Sequence, residues 1–220
     1  MAHLNRALSC LLVVAILASC QKAPPGARTT SARLDYVNGE VSIDGVAVEA
    51  GATIKPTFAI KTGAASNCGI VFDEKNILHV DENTEAYIDL AADVRNVEIR
   101  RGMIGSALRK LSLVSAREPE RFRVSSPAAI AGVRGTVFLV RVEDDAKTYL
   151  CDCNGVLNIR DASGGNARQV EAAHHKAFRY TRSGAVVTSA EADLQYHTDQ
   201  MMEMGAAHIG ETIDWSKVGR

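Results

Sequence analysis

RFRVSSPAAIAGVRGTVFLVRVEDDAKTYLCDCNGVLNIRD, residues 121–161, is the stretch that decides the fold. Its apolar and β-branched runs at Val137–Val142 and Thr148–Cys153 are the length of short strands, and Ser-Pro, Gly and Asn-Gly punctuate them. Asn154-Gly155 predicts a type I′ turn, which would put Cys151 and Cys153 near a hairpin tip. On an extended strand these two cysteines share one face and Asp152 takes the other.

The same rhythm extends upstream. NGEVSIDGVAVEAG (38–51) alternates apolar Val41 and Ile43 with polar residues between Asn38-Gly39 and Asp44-Gly45, and residues 52–100 continue as short strands with tight turns. Gly39, Gly45, Gly51, Gly63 and Gly69 fall on a six-residue grid that suggests short repeating rungs. RGMIGSALRKLSLVS (101–115) fits either a brief helix or another strand pair. The expected architecture is therefore all-β.

The order of these elements resembles the FecR domain, whose core is a strand, then T/S-P-x-A-x-A-x-V-R-G-T, then a V-x-V strand, a turn glycine and a further strand. Here those positions are Ser126-Pro127, Ala129, Ala131, Val133-Arg134-Gly135-Thr136, Phe138, Val140 and Gly155. GEVSIDG, AGATI, IKTGAAS and LHVDENTEAYI match upstream, and Asp73-Glu74-Lys75-Asn76 stands where the family usually has D-G-S in its middle hairpin. The resemblance covers about residues 36–180. It implies a β-solenoid-like roll of short stacked strands serving as an extracytoplasmic protein- or ligand-contact module for signalling. No Ser/His/Asp order, phosphate loop or paired catalytic carboxylates stands out, so no enzymatic activity is expected. Well-known members pass a siderophore-receptor signal to a sigma factor through a membrane-spanning helix. No direct sigma-factor contact is expected here. Arg134 offers five donors in a planar fork, suited to tying buried acceptors together or to meeting a partner.

The beginning of the chain sets the expected compartment. Arg6 followed by ALSCLLVVAILAS, too short for the roughly 20 residues of a membrane span, reads as an export signal over residues 1–19. Leu17-Ala18-Ser19-Cys20 resembles a bacterial lipobox, which implies acylation at Cys20, and Gln21 favours the outer membrane facing the periplasm. Residues 20–33, with Pro24-Pro25-Gly26, read as a flexible tether. The expected division is then a FecR-type β domain over 34–182 and a helical extension over 183–220. The 25 basic and 26 acidic residues leave a net charge of −1, which gives no electrostatic reason for a nucleic-acid partner. A protein partner in the envelope is expected instead.

Besides Cys20, the exported chain carries Cys68, Cys151 and Cys153, an odd number for an oxidising compartment. His174-His175 follows, and Thr188-x-x-Glu191 has the pattern of a capping box opening a helix. If that helix is continuous, His197, Met201, Met204 and His208 line one face. Two soft thiols with imidazoles suit Cu(I), Zn(II) or iron, with Cys151, Cys153, His174, His175 and His197 as candidate ligands. A looser resemblance, to a lipoprotein-like subset of FecR-domain proteins, covers this C-x-C, the paired histidines and His197-Thr198-Asp199. A disulfide to Cys68, or plain core packing, remains open for the same thiols. Thiol catalysis normally draws on a helix N-terminus or a nearby cation, whereas these cysteines lie on a strand.

Overall fold

The computed structural model describes residues 31–108, 121–133 and 135–218. The expected signal, Cys20, the tether and Arg134 lie outside the described residues. Sixteen strands and one helix follow one another: β1 (Ala32–Asn38), β2 (Val41–Ile43), β3 (Val46–Ala47), β4 (Thr53–Ile54), β5 (Thr57–Thr62), β6 (Asn67–Phe72), β7 (Asn76–Val80) and β8 (Glu85–Asp89) come first. Then come β9 (Arg95–Leu108), β10 (Phe122–Ser125), β11 (Ala129–Val133), β12 (Val137–Asp144), β13 (Lys147–Asp161), β14 (Arg168–Ala172), β15 (Lys176–Ser183), β16 (Val186–Ala192) and α1 (Asp199–Ala207). The fold is all-β with a C-terminal helix.

Two long strands organise it. The second half of β9 and the first half of β13 belong to one sheet, ordered β16-β15-β13-β12-β9-β7-β6-β1-β4. Their other halves belong to a second sheet, ordered β14-β13-β11-β10-β9-β8-β5-β2-β3. Among the described residues pairing is antiparallel except between β9 and β10, and the two sheets pack face to face. Leu34, Ile70, Phe138 and Leu150 from the first sheet meet Phe58, Ile88, Val97 and Phe122 from the second in one continuous core.

Each long strand changes sheets at a glycine of positive φ pressed against a threonine: Gly102 (φ 85°) on Thr84 and Gly155 (φ 149°) on Thr136. Both threonines stand in the stretches that carry the family resemblance. Thr136 Oγ1 bonds Asn154 O (2.8 Å) and Asp152 Oδ1 (3.1 Å), and Thr84 Oγ1 accepts from Met103 N (3.0 Å), so each hydroxyl replaces ladder bonds lost at the bend. The hairpin expected at Asn154-Gly155 is therefore a corner within one unbroken strand, because positive φ serves a sheet-to-sheet bend as well as a reversal. The β6–β7 hairpin keeps its tight turn without glycine, with Asp73 and Glu74 at φ 48° and 64°.

The outer face of the first sheet carries a second apolar cluster, in which Ile77, Met103, Leu139 and Tyr149 are covered by Met202, Ala206 and Ile209 of the C-terminal segment. The helix expected from Thr188 begins instead at Asp199, capped by Thr198, whose side chain accepts from Met201 N. Val186–Ala192 extends the sheet as β16. The chain then crosses back over the outer face, and that return builds the site.

Candidate metal centre

Cys151 and Cys153 lie on β13 before its corner, and the pleat sends both thiols to the outer face beneath the C-terminal segment. His175 enters from the link between β14 and β15, where its own N–H donates to Cys153 O (3.0 Å). His197 comes from the crossing that precedes α1. One atom from each of these four residues falls within 4.8 Å of the others. Cys151 Sγ is 3.6 Å from His175 Nδ1, Cys153 Sγ is 3.2 Å from His197 Nε2, and the two imidazole nitrogens are 3.3 Å apart.

Two of these three separations match the edges of a coordination tetrahedron, and the third, Cys153 Sγ to His197 Nε2 at 3.2 Å, is shorter than its ideal edge. With bonds of about 2.3 Å to sulfur and about 2.05 Å to nitrogen, tetrahedral angles require S···N edges of about 3.6 Å and N···N edges of about 3.3 Å. The outward ring atoms are held as well. His175 Nε2 pairs with Asp199 Oδ1 at 2.7 Å, and His197 Nδ1 pairs with the Gln195 carbonyl at 2.8 Å. A carboxylate or carbonyl behind an imidazole fixes its tautomer, orients its inner nitrogen and raises its basicity as a ligand. Both thiols are fully buried and His197 nearly so, while the Trp215 ring packs 5.1 Å from that of His175.

The electrostatics favour one thiolate readily. A hydrogen bond from Cys153 holds the Cys151 thiol down to about 4 against the opposing effect of burial, with His175 and His197 helping. Burial and the Cys151 neighbour push Cys153 well up. For His175, burial alone would lower its affinity for a proton, yet its bonds to Cys151 and Asp199 raise it above the ordinary value. Hydrogen bonds from His175 and His174 keep the Asp199 carboxyl low.

Of the five candidate ligands read from the sequence, four converge. His174 stays outside, half-exposed, with Nε2 at 3.0 Å from Asp199 Oδ2. His197 sits apart from the Met201, Met204 and His208 face it was expected to share, since it precedes the helix and turns toward the thiols. Cys68 is buried between the two sheets, on the opposite side of the first sheet from Cys151 and Cys153, and all three are free thiols. That layer separation removes the expected Cys68 disulfide alternative. Asp199, which stands in the His197-Thr198-Asp199 run of the looser resemblance, supports His175, while Gln195 and Trp215 carry no signal in the sequence for their supporting roles. Asn154 adds a further tie, its Nδ2 donating to the carbonyls of Ala173 (2.7 Å) and Lys217 (2.9 Å) and so holding the chain end over the site.

No curated protein sequence matches the chain. Two crystal structures of a candidate anti-sigma factor from Parabacteroides distasonis are similar to it at 14% identity, with TM-scores of 0.49 and 0.48. The first covers 62% of this chain and 61% of that protein, so the chain spans about three fifths of its length. The FecR protein family profile matches residues 58–153, from β5 through Cys153, which takes in both corner threonines and both thiols. The β-strand region that these residues form is thus similar to the FecR domain.

Proposed function

We propose that this protein is a non-enzymatic, metal-binding contact module of the bacterial cell envelope, anchored through a lipid on Cys20. In this reading a Cys2His2 centre clamps the C-terminal segment onto the outer face of a FecR domain. The observation that carries it is the near-tetrahedral meeting of Cys151, Cys153, His175 and His197, with the outer nitrogen of each imidazole already satisfied. Four protein donors close the shell, which is the pattern of structural zinc sites and leaves no position for a substrate. Zn(II) fits the borderline S2N2 set, and Cu(I) competes for the thiolates. Membrane association rests on the lipobox alone, and the expected protein partner is one within the envelope.

A second reading has its own observation, because Cys151 Sγ, His175 and Asp199 also stand in the order of a thiol–imidazole–carboxylate nucleophile, at 3.6 Å and 2.7 Å. Complete burial of Cys151 weighs against it, since a nucleophile must meet its substrate, and so does the convergence of a second thiol and a second imidazole on the same point.

The deciding experiment is metal analysis and Co(II) substitution of reduced, full-length protein. One metal per chain with the intense thiolate-to-cobalt absorption of a tetrahedral S2N2 site is expected. Cys151→Ser, Cys153→Ser and His197→Ala should each lose most of the metal, whereas His174→Ala and Cys68→Ser should retain it. Protein that binds no stoichiometric metal when reduced overturns the reading, and rapid alkylation of Cys151 in that protein would favour the nucleophile.

A further inference from the structure

A separate cavity of about 410 Å³ lies between α1 and the outer face of the first sheet, within the ~300–1,000 Å³ range of small-molecule pockets. One row of paired positions across five strands lays its floor: Tyr36 on β1, Gly69 on β6, His79 on β7, Gly105 on β9 and Leu139 on β12. The Tyr36 ring lies over Gly69, occupying the space that a side chain there would need. Gly105 is different. A Cβ there would meet only Met202 Cε at 3.8 Å and His79 Cβ at 3.9 Å, so a bare patch about two strand spacings, ~10 Å, wide opens between His79 and Leu139.

The two ends of the cavity differ in chemistry. Ile77, Met103, Ala107 and Leu139 with Met202 and Met204 make its body apolar, and methionine side chains adapt to irregular ligands. At the other end, the Tyr36 hydroxyl is hydrogen-bonded to His79 Nδ1, which leaves Nε2 as the second hydrogen-bonding atom of that ring. The His208 ring packs 4.9 Å from Tyr36, its Nδ1 paired with Asp35 at 2.7 Å. Burial lowers the proton affinity of His79 and raises the pKa of Tyr36, so both present neutral groups at neutral pH.

We infer that this cavity binds a neutral apolar small molecule carrying a carbonyl or hydroxyl group, its body over Gly105 beneath the methionines and its polar group at Tyr36 and His79. Uncharged donors and acceptors recognise a carbonyl or hydroxyl, whereas a carboxylate or phosphate would find no lysine or arginine in the lining, and the His208 imidazole there is already paired with the Asp35 carboxylate. The helix roof leaves room for a compact molecule and too little for a partner helix about 10 Å across. The inference stands on the cavity alone and does not depend on metal at the thiol cluster.

Prodan, a neutral naphthalene ketone whose emission moves to the blue in apolar surroundings and to the red when its carbonyl accepts a hydrogen bond, serves as the probe on full-length protein. Saturable binding of one probe per chain is expected. Gly105→Val should weaken it at least tenfold by filling the floor. Gly205→Leu, on the roof helix where an added Cβ meets nothing within 4 Å, should do the same independently. Tyr36→Phe should weaken binding severalfold and shift the bound emission further to the blue. Absence of saturable binding by the wild type overturns the inference, as does undiminished binding by whichever of Gly105→Val and Gly205→Leu retains the wild-type melting temperature.

Discussion

Gly155→Ala tests the corner that brings the thiols to the outer face. A Cβ at this position would lie 2.8 Å from the Thr136 backbone Cα and closer still to the Thr136 side chain. Rotating a side chain cannot relieve a clash with backbone, so β13 or the 135–136 turn must move. Alanine at φ 149° costs about 1–3 kcal/mol by itself. Moving Thr136 sacrifices the hydrogen bond of its hydroxyl, whose one proton serves Asn154 O or Asp152 Oδ1, worth about 0.5–1.5 kcal/mol, and Asp152 is fully buried. The expected loss is therefore about 1.5–4.5 kcal/mol, a large share of the ~5–15 kcal/mol by which a domain is stable. Urea denaturation followed by far-UV circular dichroism reads it. Gly184→Ala is the control, since Gly184 also has positive φ (62°) but an added Cβ meets nothing within 4 Å, leaving only the backbone cost. Equal losses for the two variants, or a Gly155→Ala loss below about 1 kcal/mol, would refute the argument that close packing on Thr136 demands glycine.

Cys20→Ala should release the protein from the membrane fraction and remove the lipid mass; retention of both would overturn the lipobox reading. Arg134→Ala should cost about 1–3 kcal/mol if its fork serves buried acceptors. A melting temperature equal to that of the wild type would refute this structural role. Glu143 is held by the Arg179 fork at 2.8 Å and by the Tyr196 hydroxyl at 2.6 Å, which lowers its pKa. A depressed carboxyl adds stability above its unfolded value, and that stability is lost as pH falls through the folded value. Partial exposure limits the contribution to about 1 kcal/mol. Glu143→Gln should thus lower the melting temperature at pH 7 and leave it nearly unchanged at pH 3; an equal drop at both would assign the effect to packing.

The strands were legible because alternation and turn residues act locally: Phe58, Ile60 and Thr62 turn inward along β5 while Ala59 and Lys61 turn outward. The same locality caused the misreadings. Asn154-Gly155 signals positive φ without saying whether the chain reverses or changes sheet. Thr188-x-x-Glu191 satisfies a capping pattern, yet pairing with β15 draws those residues into an edge strand. The shared face of Cys151 and Cys153 follows from a period of two, whereas their meeting with His197, 44 residues beyond Cys153, depends on the chain crossing back over the sheet. The choice of His175 over His174 likewise depends on a backbone turn, with His175 at φ 31°. The bare floor at Gly105 is invisible in sequence because its neighbours belong to other strands.

His197, Thr198 and Asp199 are consecutive, and they do three different things. His197 joins the thiol cluster, Thr198 caps the helix and Asp199 braces His175. No spare residue lies between them to absorb movement. Loss of His197 from the cluster would therefore disturb the helix start and the carboxylate support together. The polypeptide beyond residue 197 would become accessible to proteases when the cluster opens, so limited proteolysis of the C-terminal segment would report the state of the cluster.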